Sequence, residues 1–238
     1  MKIALIGYGK MGKAIEAIAV EKGHEIVLKI SIDNTEEFTA ENLQRADVAI
    51  EFTGPESAAE NVKTCLAAGI PVVCGSTGWL HQWDEVKKLQ EEKEGGLIYA
   101  SNYSIGVNLF FEVNKHLAQL MAAYPDYNVK LKEVHHTQKL DAPSGTAISL
   151  AQQVIKRIKT KKNWVNHSTN SIEELEILSE RMDPAPGTHH VKYVSAIDEI
   201  EIIHTAHSRT GFASGAVAAA AFLVGKKGIF TMKDVLGL

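Results

Sequence analysis

Apolar positions in the first hundred residues come in short unbroken runs, separated by stretches of helical periodicity. Lys2–Ile6 is apolar and stops at Gly7. Ala14, Ile15, Ile18 and Ala19 follow at helical spacing, and Gly23 is placed to end that helix. Glu25–Ile32, Asp47–Phe52, Pro71–Cys74 and Leu97–Ala100 read as further strands, with Ser57–Ala68 and Trp83–Lys93 as helices between them. Strands alternating with helices predict a parallel sheet with right-handed crossovers.

Beyond Asn102 the character changes. Val107–Met121 has the pattern of a long amphipathic helix. Asp126–Val134 reads as a strand, with Val129 and Leu131 alternating against Lys130 and Lys132. Leu150, Ala151, Val154, Ile155 and Ile158 give an apolar face to a helix that follows Ser144. Lys156–Ser171 is basic and polar without periodicity, which predicts a solvated loop, and residues 159–190 as a whole carry no clear structural pattern. Asp183 to Gly187 is a turn, and Val191–Tyr193 and Glu199–His204 are strands of a second sheet. Ser214–Val224 is a helix of small residues suited to close packing. In the short segment after it, Thr231 and Asp234 are spaced as a capping box, and this tail is expected to return to the first sheet.

Composition narrows the function classes. The 238 residues are 45% hydrophobic and 23% charged, ordinary for a soluble globular protein. A net charge of −4 argues against a nucleic-acid partner, so any anionic ligand must be held by a local cationic cluster. Cys65 and Cys74 form no paired motif and read as buried free thiols. The first residues read as a strand rather than a signal segment, and the longest apolar run, Ala216 to Val224, is too short for a bilayer. A cytoplasmic protein with no membrane partner is expected.

Two stretches carry chemistry. Gly7-Tyr8-Gly9-Lys10-Met11-Gly12 is an intact GxGxxG between a strand and a helix, and Asp33 follows at the end of the second strand. Gly7 permits the tight turn, Gly9 lets the backbone approach a pyrophosphate, and Gly12 allows close helix–strand packing. Asp33 is placed to accept from the ribose hydroxyls and to repel a 2′-phosphate. Because Asn34 rather than an arginine stands beside it, NADH is expected as the preferred cofactor, with NADPH possible. The loops Gly75-Ser76-Thr77-Gly78 and Ser101-Asn102-Tyr103-Ser104 lie at strand ends, where open parallel sheets bind ligands.

The second stretch runs from Glu133 to Ala147. His135 and His136 are consecutive at a strand end, so their side chains point to opposite faces and suit different tasks better than one metal. No metal site is expected. Lys139 can hold a carboxylate or donate a proton, and Asp141 can hold Lys139 or cap the next turn. Ser144 is a good N-cap, which leaves the amides of Gly145 and Thr146 to face an anion. Two separate anion holders fit a dicarboxylate.

Glu133-Val134-His135-His136, Lys139 and Asp141-Ala142-Pro143-Ser144-Gly145-Thr146-Ala147 together resemble the signature of the 4-hydroxy-tetrahydrodipicolinate (dihydrodipicolinate) reductase family. The likeness extends to Gly75–Gly78, Ala100–Asn108, His204–Arg209 and Phe212–Ala216. The resemblance implies an α/β protein. A Rossmann-like parallel-sheet nucleotide domain would span residues 1–102 and 213–238, and an α+β mixed-sheet domain for substrate binding and oligomerisation residues 103–212. It implies a homotetramer, closure of one domain over the other, and NAD(P)H-dependent reduction of a cyclic imine dicarboxylate in lysine and diaminopimelate biosynthesis. By the same likeness His135 and Lys139 are catalytic, and His136, Gly145 and Thr146 bind substrate. Gly7, Tyr8, Gly9, Lys10, Met11, Gly12, Asp33, Gly75, Ser76, Thr77, Ala100, Ser101, Asn102 and Tyr103 contact the cofactor.

The chain departs from that family in places. Thr137-Gln138 replaces a basic pair often found there, and 159–181 is short and divergent. Two rivals are another nicotinamide dehydrogenase on the same plan and a catalytically dead nucleotide sensor. The second expects a broken histidine–lysine cluster, whereas this one is whole.

Overall fold

A computed structural model describes residues 1–208 and 210–238. The chain begins β1 (Lys2–Ile6), α1 (Lys10–Glu21), β2 (Glu25–Ile30), α2 (Ala40–Leu43), β3 (Val48–Glu51), α3 (Ala58–Ala67), β4 (Val72–Cys74), α4 (Trp83–Lys93) and β5 (Gly96–Tyr99). It continues with α5 (Ile105–Met121), β6 (Asn128–His135), α6 (Gly145–Ile155), β7 (Asn163–Val165), β8 (Glu174–Arg181), β9 (Gly187–Val194) and β10 (Glu199–Ala206). It closes with α7 (Thr210–Leu223), β11 (Gly228–Phe230) and α8 (Met232–Leu236). Two compact units result, one from Met1–Ile105 with Thr210–Leu238, the other from Gly106–Arg209.

In the first unit six parallel strands lie in the order β11-β5-β4-β3-β1-β2. Strand side chains alternate between two cores. Ala4, Ile6, Ala49, Val72 and Leu97 pack with α3 and α4 on one face. Ile3, Leu5, Val48, Ile50, Val73 and Ile98 meet α1, α7 and α8 on the other. Both faces are covered, which is why these strands read as unbroken apolar runs. α7 is rich in alanine, and Ala213, Ala216, Ala219 and Ala220 are buried against the sheet. The tail does return here. β11 pairs with β5, and Thr231 and Asp234 form the capping box of α8.

The second unit is a mixed sheet in the order β10-β9-β6-β8-β7. β9 is antiparallel to β10 and β6, while β8 is parallel to β6 and β7. Val129, Leu131, Leu175, Ile177, Val191 and Tyr193 form the sheet side of its core, and Ala147, Leu150, Ala151 and Val154 of α6 pack on them. The stretch expected to be loop contains β7, and β8 follows it. β8 was obscured because only Leu175 and Ile177 reach the core, with Glu176 between them on the other face. Glu176 is buried and accepts from Ser168 Oγ at 2.9 Å and Thr169 N at 3.0 Å. Both cysteines are free and buried, and burial pushes both thiols well up. Among the described residues no helix is long and apolar enough to cross a membrane.

Candidate active site

The glycine loop of the first unit is built by contact. A side chain at Gly7 (φ +97°) would collide with the Phe52 carbonyl, 2.1 Å from an added Cβ. One at Gly12 would lie 2.5 Å from the Gly7 carbonyl oxygen. At Gly9 an added Cβ meets no protein atom within 4 Å, so nothing in the chain itself demands glycine there. Gly9 instead lines an open groove of about 490 Å³ together with Lys10, Met11, Phe52, Gly75, Ser76 and Thr77. Thr53, Gly54 and Pro55 complete the lining. These three, with Phe52, were missed in the sequence because nothing in an ordinary Phe-Thr-Gly-Pro turn signals a ligand.

The groove floor is organised by Glu51, which is buried at the end of β3. Its carboxylate accepts from Thr53 N at 2.9 Å, Ser76 Oγ at 3.0 Å, the Thr53 hydroxyl and the Cys74 thiol. One buried carboxyl group thus ties together two loops of the groove, its oxygens satisfied by several donors.

Tyr8, Asp33, Ala100, Ser101, Asn102 and Tyr103, also expected to contact the cofactor, are not among the residues that line this groove. Tyr8 gives its hydroxyl to Glu16, and the Lys29 ammonium lies 5.0 Å from its ring centroid. Asp33 is exposed in the loop after β2. The Asn34 side chain shapes that loop, accepting from Ser31 N at 2.7 Å and donating to the Lys29 carbonyl at 2.9 Å. Ala100, Ser101 and Asn102 follow β5. Tyr103 is different. Its phenol is in the core and donates to the Cys74 carbonyl at 2.8 Å, so it supports the loop from within.

The histidine–lysine stretch lies wholly in the second unit. His135 ends β6 and is buried, whereas His136 is half-buried in the loop that follows. That loop turns at once, with Lys139 N donating to the His136 carbonyl at 3.1 Å. The Lys139 ammonium sits on the Asp141 carboxylate at 2.7 and 2.8 Å. Burial pushes the Asp141 carboxyl up, but Lys139 outweighs it and holds the group below its ordinary range. The loop ends at Ser144, whose Oγ accepts from Ala147 N at 3.2 Å and caps α6, and Gly145 and Thr146 form that helix's first turn.

Glu133 of β6, Arg181 of β8 and His189 of β9 complete this cluster. Glu133 is fully buried two residues before His135. Its carboxylate accepts from Ser144 N at 3.0 and 3.1 Å, from Ser179 Oγ at 2.8 Å, and more loosely from Arg181 at 3.4 and 3.5 Å. Burial opposes its ionisation, but these donors outweigh it and keep the carboxyl below its ordinary value. Arg181 also donates to the carbonyls of Lys139 at 3.2 Å and Asp141 at 2.6 Å, pinning the loop from β8. His189 of β9 makes an edge contact with His135, with ring centroids 5.1 Å apart, and burial pulls it down to about 3. His135 is also lowered, by burial first, with Lys139 and Arg181 adding to it and Glu133 opposing.

Ligand atoms of Glu133, His135 and His189 lie within 4.8 Å of one another, a spacing compatible with a metal ion. The Glu133 oxygens already serve three donor groups of the chain, one of them a guanidinium, so a further cation there would have to displace them. The three residues are better described as a hydrogen-bonding cluster around one imidazole.

The comparisons place this architecture. Residues 1–103 match the family described as "Dihydrodipicolinate reductase, N-terminus", and residues 106–236 match "Dihydrodipicolinate reductase, C-terminus". A 4-hydroxy-tetrahydrodipicolinate reductase of Christiangramia forsetii is 48% identical over 236 residues, covering 99% of this chain and 98% of that one. A dipicolinate-bound dihydrodipicolinate reductase from Paenisporosarcina sp. TG-14 superposes with a TM-score of 0.77 at 25% identity, covering 97% of each chain. A probable dehydrogenase from Thermotoga maritima shares the fold alone, at TM-score 0.57 and 10% identity over 99% of this chain and 92% of that one. With both halves matched and a full-length relative at this identity, the chain belongs to the dihydrodipicolinate reductase family.

Proposed function

We propose that His135 and Lys139 carry the proton chemistry of this oxidoreductase, which as a family member reduces 4-hydroxy-tetrahydrodipicolinate in lysine biosynthesis. NAD(P)H, when bound, supplies the hydride. The 4-hydroxyl leaves as water, and the conjugated imine so formed gains that hydride at carbon and a proton from the second unit, giving tetrahydrodipicolinate. His136, the Lys139 ammonium and the first-turn amides of α6 at Gly145 and Thr146 hold the two carboxylates and so orient the ring. His135, neutral in the free protein near pH 7 because burial lowers it, accepts and returns a proton at the ring nitrogen turned away from Glu133.

The observation that carries this reading is the placement of His135. A buried imidazole stands beside an ionised carboxylate and leads into a loop that presents a lysine and ends on a capped helix. In the first unit the open space at Gly9, the groove around it and the acidic loop residue Asp33 support dinucleotide binding. The carboxylate of Asp33 and the uncharged Asn34 favour NADH over NADPH.

The second unit serves as the substrate-binding unit and assembles a homotetramer through its sheet. Ile200 and Ile203 on the edge strand β10 and Val113 and Leu120 on α5 expose large apolar side chains that such an assembly would cover. The protein works in the cytoplasm.

NADH oxidation followed in a coupled assay, with the precursor formed in situ by the preceding synthase, tests the reading. Steady oxidation that requires the coupled precursor is expected, and His135→Gln is expected to lower kcat about 100-fold or more with NADH affinity unchanged. Wild-type turnover from that variant would remove His135 from the chemistry.

A further inference from the structure

The Glu133 carboxylate has two unlike oxygens. Oε1 accepts from Ser144 N, Ser179 Oγ and Arg181. Oε2 accepts from Ser144 N and then faces two rings, His135 Nδ1 at 3.4 Å and His189 Nε2 at 3.7 Å. His135 Nδ1 faces the carboxylate at 3.4 Å without a formed hydrogen bond, and the buried nitrogen makes none elsewhere. Catalytic hydrogen bonds are often long in the free enzyme and tighten when substrate binds.

An unprotonated Nδ1 would oppose its lone pair to an ionised carboxylate inside the protein, so the proton belongs on Nδ1. Nε2 is then the free nitrogen. It looks onto Gly187, where an added Cβ would lie only 3.1 Å away, and the missing side chain leaves room beside it.

We propose that Glu133 is a positioning residue. It fixes the tautomer and orientation of His135 so that Nε2 is the atom that exchanges the proton, and it stabilises the imidazolium formed in that exchange. This rests on the reading of His135 as the proton carrier. The groups facing His135 are Glu133 from β6, Arg181 from β8, His189 from β9, and Lys139 and Asp141 from the loop. Glu133 and Asp141 favour the charged ring, while Lys139 and Arg181 disfavour it. His189, neutral down to about pH 3, contributes no charge near neutrality.

Glu133→Gln is the isosteric test. Its carbonyl would take the Oε1 place among three donor groups, which turns the amide NH2 toward Nδ1. Nδ1 would become an acceptor and the proton would move to Nε2, the wrong tautomer for the exchange. We expect kcat to fall about 100-fold or more with KM little changed. The pH limb governed by His135 should move to lower pH by about one unit, because an opposing negative charge is removed.

The 15N resonances of His135 read the tautomer directly and need no substrate. The wild type should show Nδ1–H above the imidazole pKa, and Glu133→Gln should show Nε2–H. Ser179→Ala, which removes one donor but keeps the carboxylate, should retain Nδ1–H and leave the limb in place. A wild-type Nε2–H tautomer overturns the proposal even if Glu133→Gln does not fold. So does a Glu133→Gln protein with unchanged tautomer and pH limb, whatever its kcat, or a Ser179→Ala protein with the same shift. A wild type with the expected tautomer but no reductase activity would instead count against the functional reading.

Discussion

Arg181 donates from Nη2 to the carbonyl oxygen of Asp141 at 2.6 Å, so a strand far along the chain holds the loop that carries Lys139. The same guanidinium reaches the Lys139 carbonyl through Nε and lies beside Glu133. A planar fork can serve three acceptors at fixed angles, whereas an ammonium cannot. Arg181→Lys is therefore expected to lower kcat about tenfold and to cost about 1–2 kcal/mol in urea unfolding, with dinucleotide affinity unaltered. Wild-type kcat in this variant would show that the loop holds its shape without the fork.

Gly9 and Gly12 should respond in opposite ways to alanine. Gly12→Ala drives a Cβ to 2.5 Å from the Gly7 carbonyl and is expected to cost about 1–3 kcal/mol of stability. Gly9→Ala meets open space, so thermal stability should hold while NADH binding weakens about tenfold or more. Calorimetry with and without NADH separates the two. Equal binding by Gly9→Ala and wild type would place the phosphates elsewhere.

Asp33 sets the cofactor test. Asp33→Ala removes an acceptor for the ribose hydroxyls and a charge that repels a 2′-phosphate. The KM for NADH should rise about tenfold, the worth of one charge-assisted hydrogen bond, while the KM for NADPH stays level or falls. An equal loss with both cofactors would detach Asp33 from the ribose.

His189 makes the second unit acid-sensitive. The unfolded chain takes up a proton at this histidine below its ordinary value of 6.5, while the folded chain refuses it down to about 3. The unfolded state therefore binds more protons in that window, and stability is full above pH 6.5 and falls as the pH drops toward 3. The slope is on the order of 1 kcal/mol per pH unit for one such group. Urea midpoints at pH 7 and pH 5 should differ less in His189→Asn than in wild type. An identical pH dependence would assign the acid sensitivity to other groups.

Much of this was legible in the chain because the relevant contacts are local. Lys2–Ile6, Gly7–Gly12 and the α1 periodicity describe one strand–turn–helix unit, and Thr231 with Asp234 describes one cap. Asp141 beside Lys139 needed only a short loop. Glu133 was visible as a letter in a motif but not as a hub, because its partners Ser179, Arg181 and His189 come from strands β8 and β9. β8 itself was hidden because the buried Glu176 interrupts its apolar signal. Tyr103 shows the reverse case, a residue in a ligand-like loop whose side chain belongs to the core. Arg209, part of the motif beginning at His204, lies outside the described residues.

The first unit takes its last helices and its edge strand from Thr210–Leu238, after the whole second unit has been threaded out. A ribosome therefore delivers β1 to β5 long before α7 exists to cover Ile3, Leu5, Val48, Ile50, Val73 and Ile98. Until then α1 alone covers that sheet face, and the second unit, contiguous in sequence, can complete its own core first. The unit that carries the glycine loop is thus begun before the second unit and finished only after it, once Thr210–Leu238 has been made.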